Sequence, residues 1–257
     1  MIDQAQKTYV FKWQPNAKLL LFSALMLPLL LELGYWQLQR ADEKQQILDQ
    51  YQTNAQLPPV ITVAELASEG DLQYRRVWIE GRIDNQRTII LDNRVKRGRP
   101  GYEILQAVEV RGASQKLLVN RGWVPASLDR AILPAIPEIG TEVQLRGFLY
   151  RRLSGGYQLD DGVGTVIDWP SRVGWIGVER AEELFGERFF PYQLRLDHDS
   201  PGALETGWVT VSVQPQKHTA YAVQWFAMAL TLLILTLIAN SNLISWLKKQ
   251  PSDNLSG

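Results

Sequence analysis

Two stretches of this chain are too apolar, and too long, to belong to an ordinary water-soluble fold. Leu19 to Leu31 reads LLLFSALMLPLLL and continues through Glu32 to Leu38, while Tyr221 to Ala239 reads YAVQWFAMALTLLILTLIA without a charged residue. A helix takes ~20 residues to cross a hydrocarbon core of ~30 Å, and each stretch suffices. A core helix of a soluble domain would carry a polar stripe, and the second stretch has none. Lys18 ahead of the first stretch gives it the look of a secretory leader. Its far end, Gly34-Tyr35-Trp36-Gln37-Leu38-Gln39-Arg40, offers no small-residue cleavage pattern, so an uncleaved anchor is expected. Pro28 is expected to kink that helix, at a cost neighbouring membrane helices offset.

The flanks orient the spans. Lys7, Lys12 and Lys18 stand against Asp3 before the first, and Lys248 and Lys249 against Asp253 after the second. Basic short tails mark the cytoplasmic side. The expected organisation is a cytoplasmic tail over 1–18, a first span over 19–38, a periplasmic domain over 39–218, a second span over 219–240 and a cytoplasmic tail over 241–257. The membrane would be a plasma (inner) membrane of bacterial type. Composition removes several chemistries. Lys+Arg and Asp+Glu both number 27, so the basic surplus of a simple nucleic-acid binder is absent. There is no cysteine, hence no disulfide, thiolate nucleophile or Cys-ligated metal, and two histidines cannot build a multi-histidine metal site. No phosphate-binding glycine loop occurs.

Between the spans, QLQRADEKQQILDQYQTN predicts a polar continuation of the first helix, ended by Leu57-Pro58-Pro59. VAELAS predicts a helical turn and VERAEELFG (178–186) a helix ended by Gly186. Strand patterns follow one another at RVWIEGRI (76–83), TIILDNRV (88–95), YEILQAVEV (102–110), KLLVNRGWV (116–124), EVQLRGFLY (142–150), YQLRLD (192–197) and WVTVSV (208–213). The fold class is therefore two transmembrane α-helices bracketing one β-rich α+β extramembrane domain, for which a partly closed antiparallel barrel is one arrangement.

The unusual chemistry gathers at the outer membrane ends. Trp36, Arg40 and Lys44 recur every four residues on one helix face, and His218, Tyr221, Trp225 and Met228 recur at helical spacing on another. Two readings stand: an aromatic belt with snorkelling cations, or one membrane-level neighbourhood shared by both sets. His218 is either a lone interfacial histidine or an axial ligand for haem iron. Glu32 inside the apolar run is either functional or incidental. His198 in LDHDSPG has Asp and Ser neighbours, but triad members converge from separate elements, so a turn is expected. Asp160–Asp161 reads as a loop. VNRGWVP (119–125) reads as a strand end with a bulge, against a fixed loop presenting Arg121 and Trp123.

Taken together, these pieces resemble the Surfeit locus protein 1 family of cytochrome c oxidase assembly factors. Three motifs carry the resemblance, which covers nearly the whole chain. Gly34-Tyr35-Trp36-Gln37-Leu38-Gln39-Arg40 with Lys44 is similar to the family's G-x-W-Q-x-x-R…K. Gly101-Tyr102-Glu103-Ile104-Leu105 and Val119-Asn120-Arg121-Gly122-Trp123-Val124-Pro125 stand in the domain. His218-Thr219-Ala220-Tyr221-Ala222-Val223-Gln224-Trp225 is similar to H-x-x-Y-A-x-x-W. Gln106-Ala107 and Pro215-Gln216-Lys217 depart from the family pattern. The resemblance implies a non-enzymatic role: helping deliver or insert haem a, bound transiently, into the large subunit of a haem–copper oxidase. It implies His218 as the haem-contacting group and iron ligand, with Trp36, Arg40, Tyr221 and Trp225 around it. Gly34, Gln37, Lys44, Asn120, Arg121, Gly122 and Trp123 follow as motif or partner-facing positions. The implied partners are that subunit, the haem a synthesis machinery and the lipid bilayer. The alternative is a scaffold that steadies an oxidase intermediate without touching haem.

Overall fold

The computed structural model describes residues 11–67, 70–151, 168–209 and 213–247. Asp160–Asp161 and Lys7, Lys248 and Lys249 lie outside them. In chain order the elements are α1 (Ala17–Gln56), α2 (Val63–Leu66), β1 (Arg76–Lys96), β2 (Arg99–Val110), β3 (Lys116–Pro125), β4 (Glu142–Tyr150), β5 (Ser171–Val173), α3 (Val178–Phe185), β6 (Phe189–Leu196), α4 (Pro215–Ala239) and α5 (Leu243–Leu247). They form two units. One joins Met1–Ile47 with Val211–Gly257, and the other is Leu48–Thr210.

In the second unit the strands form a β-rich sheet with two short helices, as expected. β1 pairs antiparallel with β2 and β4, β2 with β3, and β4 with β6, while β3 and β6 run parallel. These pairings close a ring of five strands, and β5 adds to β1 in parallel. Strict alternation drives the arrangement: along the start of β1, Val77, Ile79 and Ile83 are buried while Trp78 and Glu80 face out. Those residues join Val108, Leu117, Val119, Leu145, Leu194 and Leu196 in the main core. A second cluster packs Ile89, Leu105 and Leu118 against Ala181, Leu184 and Phe185 of α3. That helix ends as expected at Gly186, whose φ of 68° lets its N–H return to the Glu182 carbonyl. The expected turn at VAELAS is α2, held by a capping box between Thr62 and Glu65.

Three expectations differ. The strands expected at 76–83 and 88–95 are one, β1. The polar Asp84-Asn85-Gln86-Arg87 between them is a bulge, in which the Asp84 carboxylate accepts the N–H groups of Gln86 (3.0 Å) and Arg87 (3.1 Å). β5 is three residues long and carries no readable alternation. The strand expected at 208–213 falls partly outside the described residues, and Trp208, Val209 and Val213 lie in no strand.

In the first unit, α1 and α4 run antiparallel. Ser23 and Thr236 share a hydroxyl hydrogen bond of 2.6 Å near one end of the pair, and Gln37 meets His218 near the other. Ser23, Gly34 and Ala41 on α1 and Ala222, Ala229 and Thr236 on α4 are buried, the small residues that let membrane helices approach. Beyond the Ser23 end, the Gln14 N–H donates to the Asn240 carbonyl (2.7 Å) and the Asn242 N–H to that of Lys12 (3.1 Å). Both helices are long and apolar enough to cross a membrane. At ~1.5 Å per residue, the 40 residues of α1 reach ~60 Å, about twice a hydrocarbon core. The helix runs through Pro28 and stops at Gln56, just before Leu57-Pro58-Pro59. Its last turns belong to the second unit, where Tyr51 packs edge-on against Tyr74 and Phe148.

Candidate functional site

His218 occupies the first turn of α4, behind Pro215 at the helix start, where a missing N–H costs nothing. Its imidazole is half-buried, and Nδ1 lies 2.7 Å from the Gln37 Oε1 of α1. One turn before Gln37 is Gly34. A Cβ there would come within 2.6 Å of the Phe226 ring, so any other residue would force that ring to shift. The seam is therefore built in three parts: a small residue for proximity, an amide, and an imidazole.

The other expected residues spread around this pair. Trp225 is half-buried on α4 near the seam, while Tyr221 and Trp36 are about half exposed, at 52% and 47%. Residues on a helix turn ~100° per position, which carries Trp36 away from the Gln37 direction and onto the outward face with Glu32 and Leu29. Arg40 is ion-paired with Glu43, and Lys44 lies 3.7 Å from the same carboxylate. The structure thus brings His218 together with Gln37 and places Trp36 on the outward face of α1, while Arg40, three residues after Gln37, is engaged by Glu43. Gln37 was legible as a motif residue but not as the histidine's partner. The signal that finds it is the line of small residues: Gly34 and Ala41 flank Gln37 on one face, and Pro215, Ala222, Ala229 and Thr236 recur every seven residues beside His218.

The domain motif has a different role. Asn120, Arg121 and Trp123 are all buried, Arg121 to 1% exposure, so none is presented to a partner. Ile104 pairs with Gly122 and Leu105 with Asn120, leaving Arg121 as the extra residue of a bulge in β3. Gly122 has φ 123°, and a Cβ there would meet the Glu205 carbonyl at 3.0 Å. The bulge turns Arg121 inward, where Nε donates to the Gly202 carbonyl (2.8 Å), Nη1 to Gln106 Oε1 (2.9 Å) and Nη2 to the Pro137 carbonyl (2.8 Å). Burial without a carboxylate pushes this guanidinium below its ordinary pKa. Trp123 Nε1 donates to the Arg94 carbonyl (2.8 Å), and Asn120 Nδ2 to Glu103 (2.7 Å). This motif ties strands to loops.

His198 lies exposed on the expected turn. Asp197 pairs with Arg76 at 2.7 Å, and Ser200 is buried with its hydroxyl accepting the Arg146 N–H. Burial pushes the Asp197 carboxyl up, against the pull of Arg76. No nucleophile–base pair forms there. Among the described residues, no three His, Asp or Glu side chains converge as a metal site would need.

Comparison with known proteins matches this architecture along its length. The family model described as the SURF1 family matches residues 24–230, a span that includes Gly34, Gln37 and His218 of the seam. A SURF1-like protein of Rickettsia felis is 25% identical over 223 residues, which cover 84% of this chain and 94% of that protein. A SURF1-like protein of Dictyostelium discoideum is 27% identical over 100 residues, covering 35% of this chain and 37% of that protein. With most of the chain inside the family match, this protein belongs to the SURF1 family.

Proposed function

We propose that this protein helps deliver or insert haem a into the large subunit of cytochrome c oxidase. The SURF1 family consists of oxidase assembly factors rather than enzymes, and the chain's two apolar helices suit a two-pass membrane protein. The observation that carries the haem reading is His218: an imidazole at the outer end of an apolar helix, half-buried and braced by a neighbouring helix. When bound, haem a would supply a porphyrin iron, and His218 would be the residue that holds it through an imidazole nitrogen. Tyr221 and Trp225 follow it on α4 and offer aromatic faces to a macrocycle. Arg40 and Lys44, one and two turns beyond Gln37, supply cations for propionates in exchange with Glu43. Trp36, on the outward face of α1, is available to the receiving subunit or to lipid.

Residues 11–16 and 240–246 meet at one end of the antiparallel helix pair, which supports a two-pass protein, and the basic flanks in the sequence favour cytoplasmic termini and a periplasmic domain. The haem a synthesis machinery would hand the cofactor to such a site at membrane depth.

The test is a reduced-minus-oxidised spectrum of membranes from a strain lacking this gene, beside wild type and a His218→Ala strain. The expected result is a selective fall in the haem a signal in the deletion strain, with other cytochromes kept, and the same fall in His218→Ala. An unchanged deletion spectrum sinks the assembly reading. A normal His218→Ala spectrum leaves a scaffold that never touches haem.

A further inference from the structure

We infer that Gln37 is a positioning residue that fixes His218 as the Nδ1–H tautomer and so assigns Nε2 as the atom that faces a ligand. The inference rests on the haem reading for the identity of that ligand, but not for the tautomer itself. A neutral imidazole carries one N–H and one lone pair, and the group bonded to one nitrogen decides which is which. Here the Gln37 Oε1, which only accepts, stands 2.7 Å from Nδ1. With the amide oxygen at this position we assign the proton to Nδ1 and the lone pair to Nε2. No described residue engages Nε2. Had the bond run from a donor, the proton would sit on Nε2 and the imidazole would have no outward lone pair to offer iron.

The arrangement is built rather than incidental. Gln37 comes from the other helix, and the approach that brings it within reach depends on Gly34, whose missing side chain leaves room for Phe226. Gly34 and Gln37 are three residues apart on α1, hence on one face, the face that also buries Ala41. Metal-ligating histidines are commonly oriented in this way through their second nitrogen, which also raises the basicity of the first. The Gly-x-x-Gln spacing on α1 thus acts through His218 on α4.

The experiment uses the full chain in detergent, labelled with 15N-histidine, at about pH 8, above the ordinary histidine pKa of ~6.5. His198→Gln, on the exposed turn, leaves the His218 signals alone in the spectrum. The wild-type chain without haem is expected to show a protonated Nδ1 and an unprotonated Nε2. Gln37→Leu, which removes the acceptor, is expected to shift the balance to Nε2–H, and Gln37→Glu to keep Nδ1–H. On titration with haem, Gln37→Leu should bind roughly 10–100-fold more weakly. Gln37→Glu should bind, with a reduction potential shifted negative by the stronger acceptor. A wild-type spectrum with the proton on Nε2 overturns the inference without any variant, as does an unchanged tautomer in Gln37→Leu. If the tautomer responds as expected while haem binds equally well to His218→Ala, the haem reading fails and the positioning role stands.

Discussion

Among single residues, Arg121 departs furthest from what its type leads one to expect. Arginine is almost never fully buried unless paired, yet this one is enclosed with three neutral acceptors and no carboxylate. Its planar fork joins β3, β2 and two loops, which a lysine's point-like ammonium cannot imitate. Arg121→Met removes a costly charge but strands two backbone carbonyls and Gln106, each worth about 1–3 kcal/mol when buried unsatisfied. The expected net loss is about 3 kcal/mol, read as a lower denaturant midpoint with unchanged slope, and a loss under about 0.5 kcal/mol would contradict this role. At this scale the sequence revealed the bulge, because Gly122 beside a bulky Trp123 reads as a backbone exception. It did not reveal burial. Asn-Arg-Gly-Trp is polar on paper, and only the loops around Pro137 and Gly202, distant in sequence, supply the carbonyls that satisfy it.

The secondary-structure elements meet through ion pairs that differ in their response to acid. Arg87 in the β1 bulge donates from Nε to Asp84 (2.6 Å), from Nη2 to Glu187 (2.8 Å) and from Nη1 to the Phe185 carbonyl (3.1 Å), so it clamps the end of α3 and the turn after it to β1. Lys116 of β3 also pairs with Glu187. Burial pushes both carboxyls up, but hydrogen bonds from Arg87 and, for Glu187, from Lys116 outweigh it and hold both below their ordinary values of 3.8 and 4.5. A depressed carboxylate stabilises fully above its unfolded pKa and loses that contribution as pH falls through the folded one. Amide protection in α3, measured against the intrinsic rate at each pH, is therefore expected to fall below about pH 4 while the main core stays protected, and in Arg87→Met it should be low at neutral pH with little further acid response. Equal protection of α3 at pH 3 and pH 7 would refute the clamp. Most elements were legible because their apolar periods are clean, as in β2, β4 and α3. β5 was not, because three residues pairing in parallel with β1 show no period at all. The helix seam was half legible: hydropathy reveals a membrane helix, but its facing side is written in small residues that hydropathy ignores.

For the whole molecule, residues 11–16 and 240–246 meet at one end of the helix pair. With the termini in the cytoplasm, as proposed, a reporter active only there should work when fused at either terminus and fail when inserted in the 127–135 loop. A reporter active only in the periplasm should do the reverse, and activity of one reporter at both an end and the loop would disprove the two-pass topology. The two-span plan and the β-rich middle were legible from charge and alternation. The order in which the strands join was not, because the parallel β3–β6 pairing links segments separated by β4, β5 and α3.

The closed cycle of pairings has a further effect. Each of its five strands has a neighbour on both sides, so little backbone is left to recruit a foreign strand; among the described residues, the outer side of the three-residue β5 is the clearest remnant. Open sheet margins are where unrelated chains add themselves and aggregate. A protein that works beside incompletely assembled polypeptides meets such chains throughout its life. The cycle makes this domain a poor template for them.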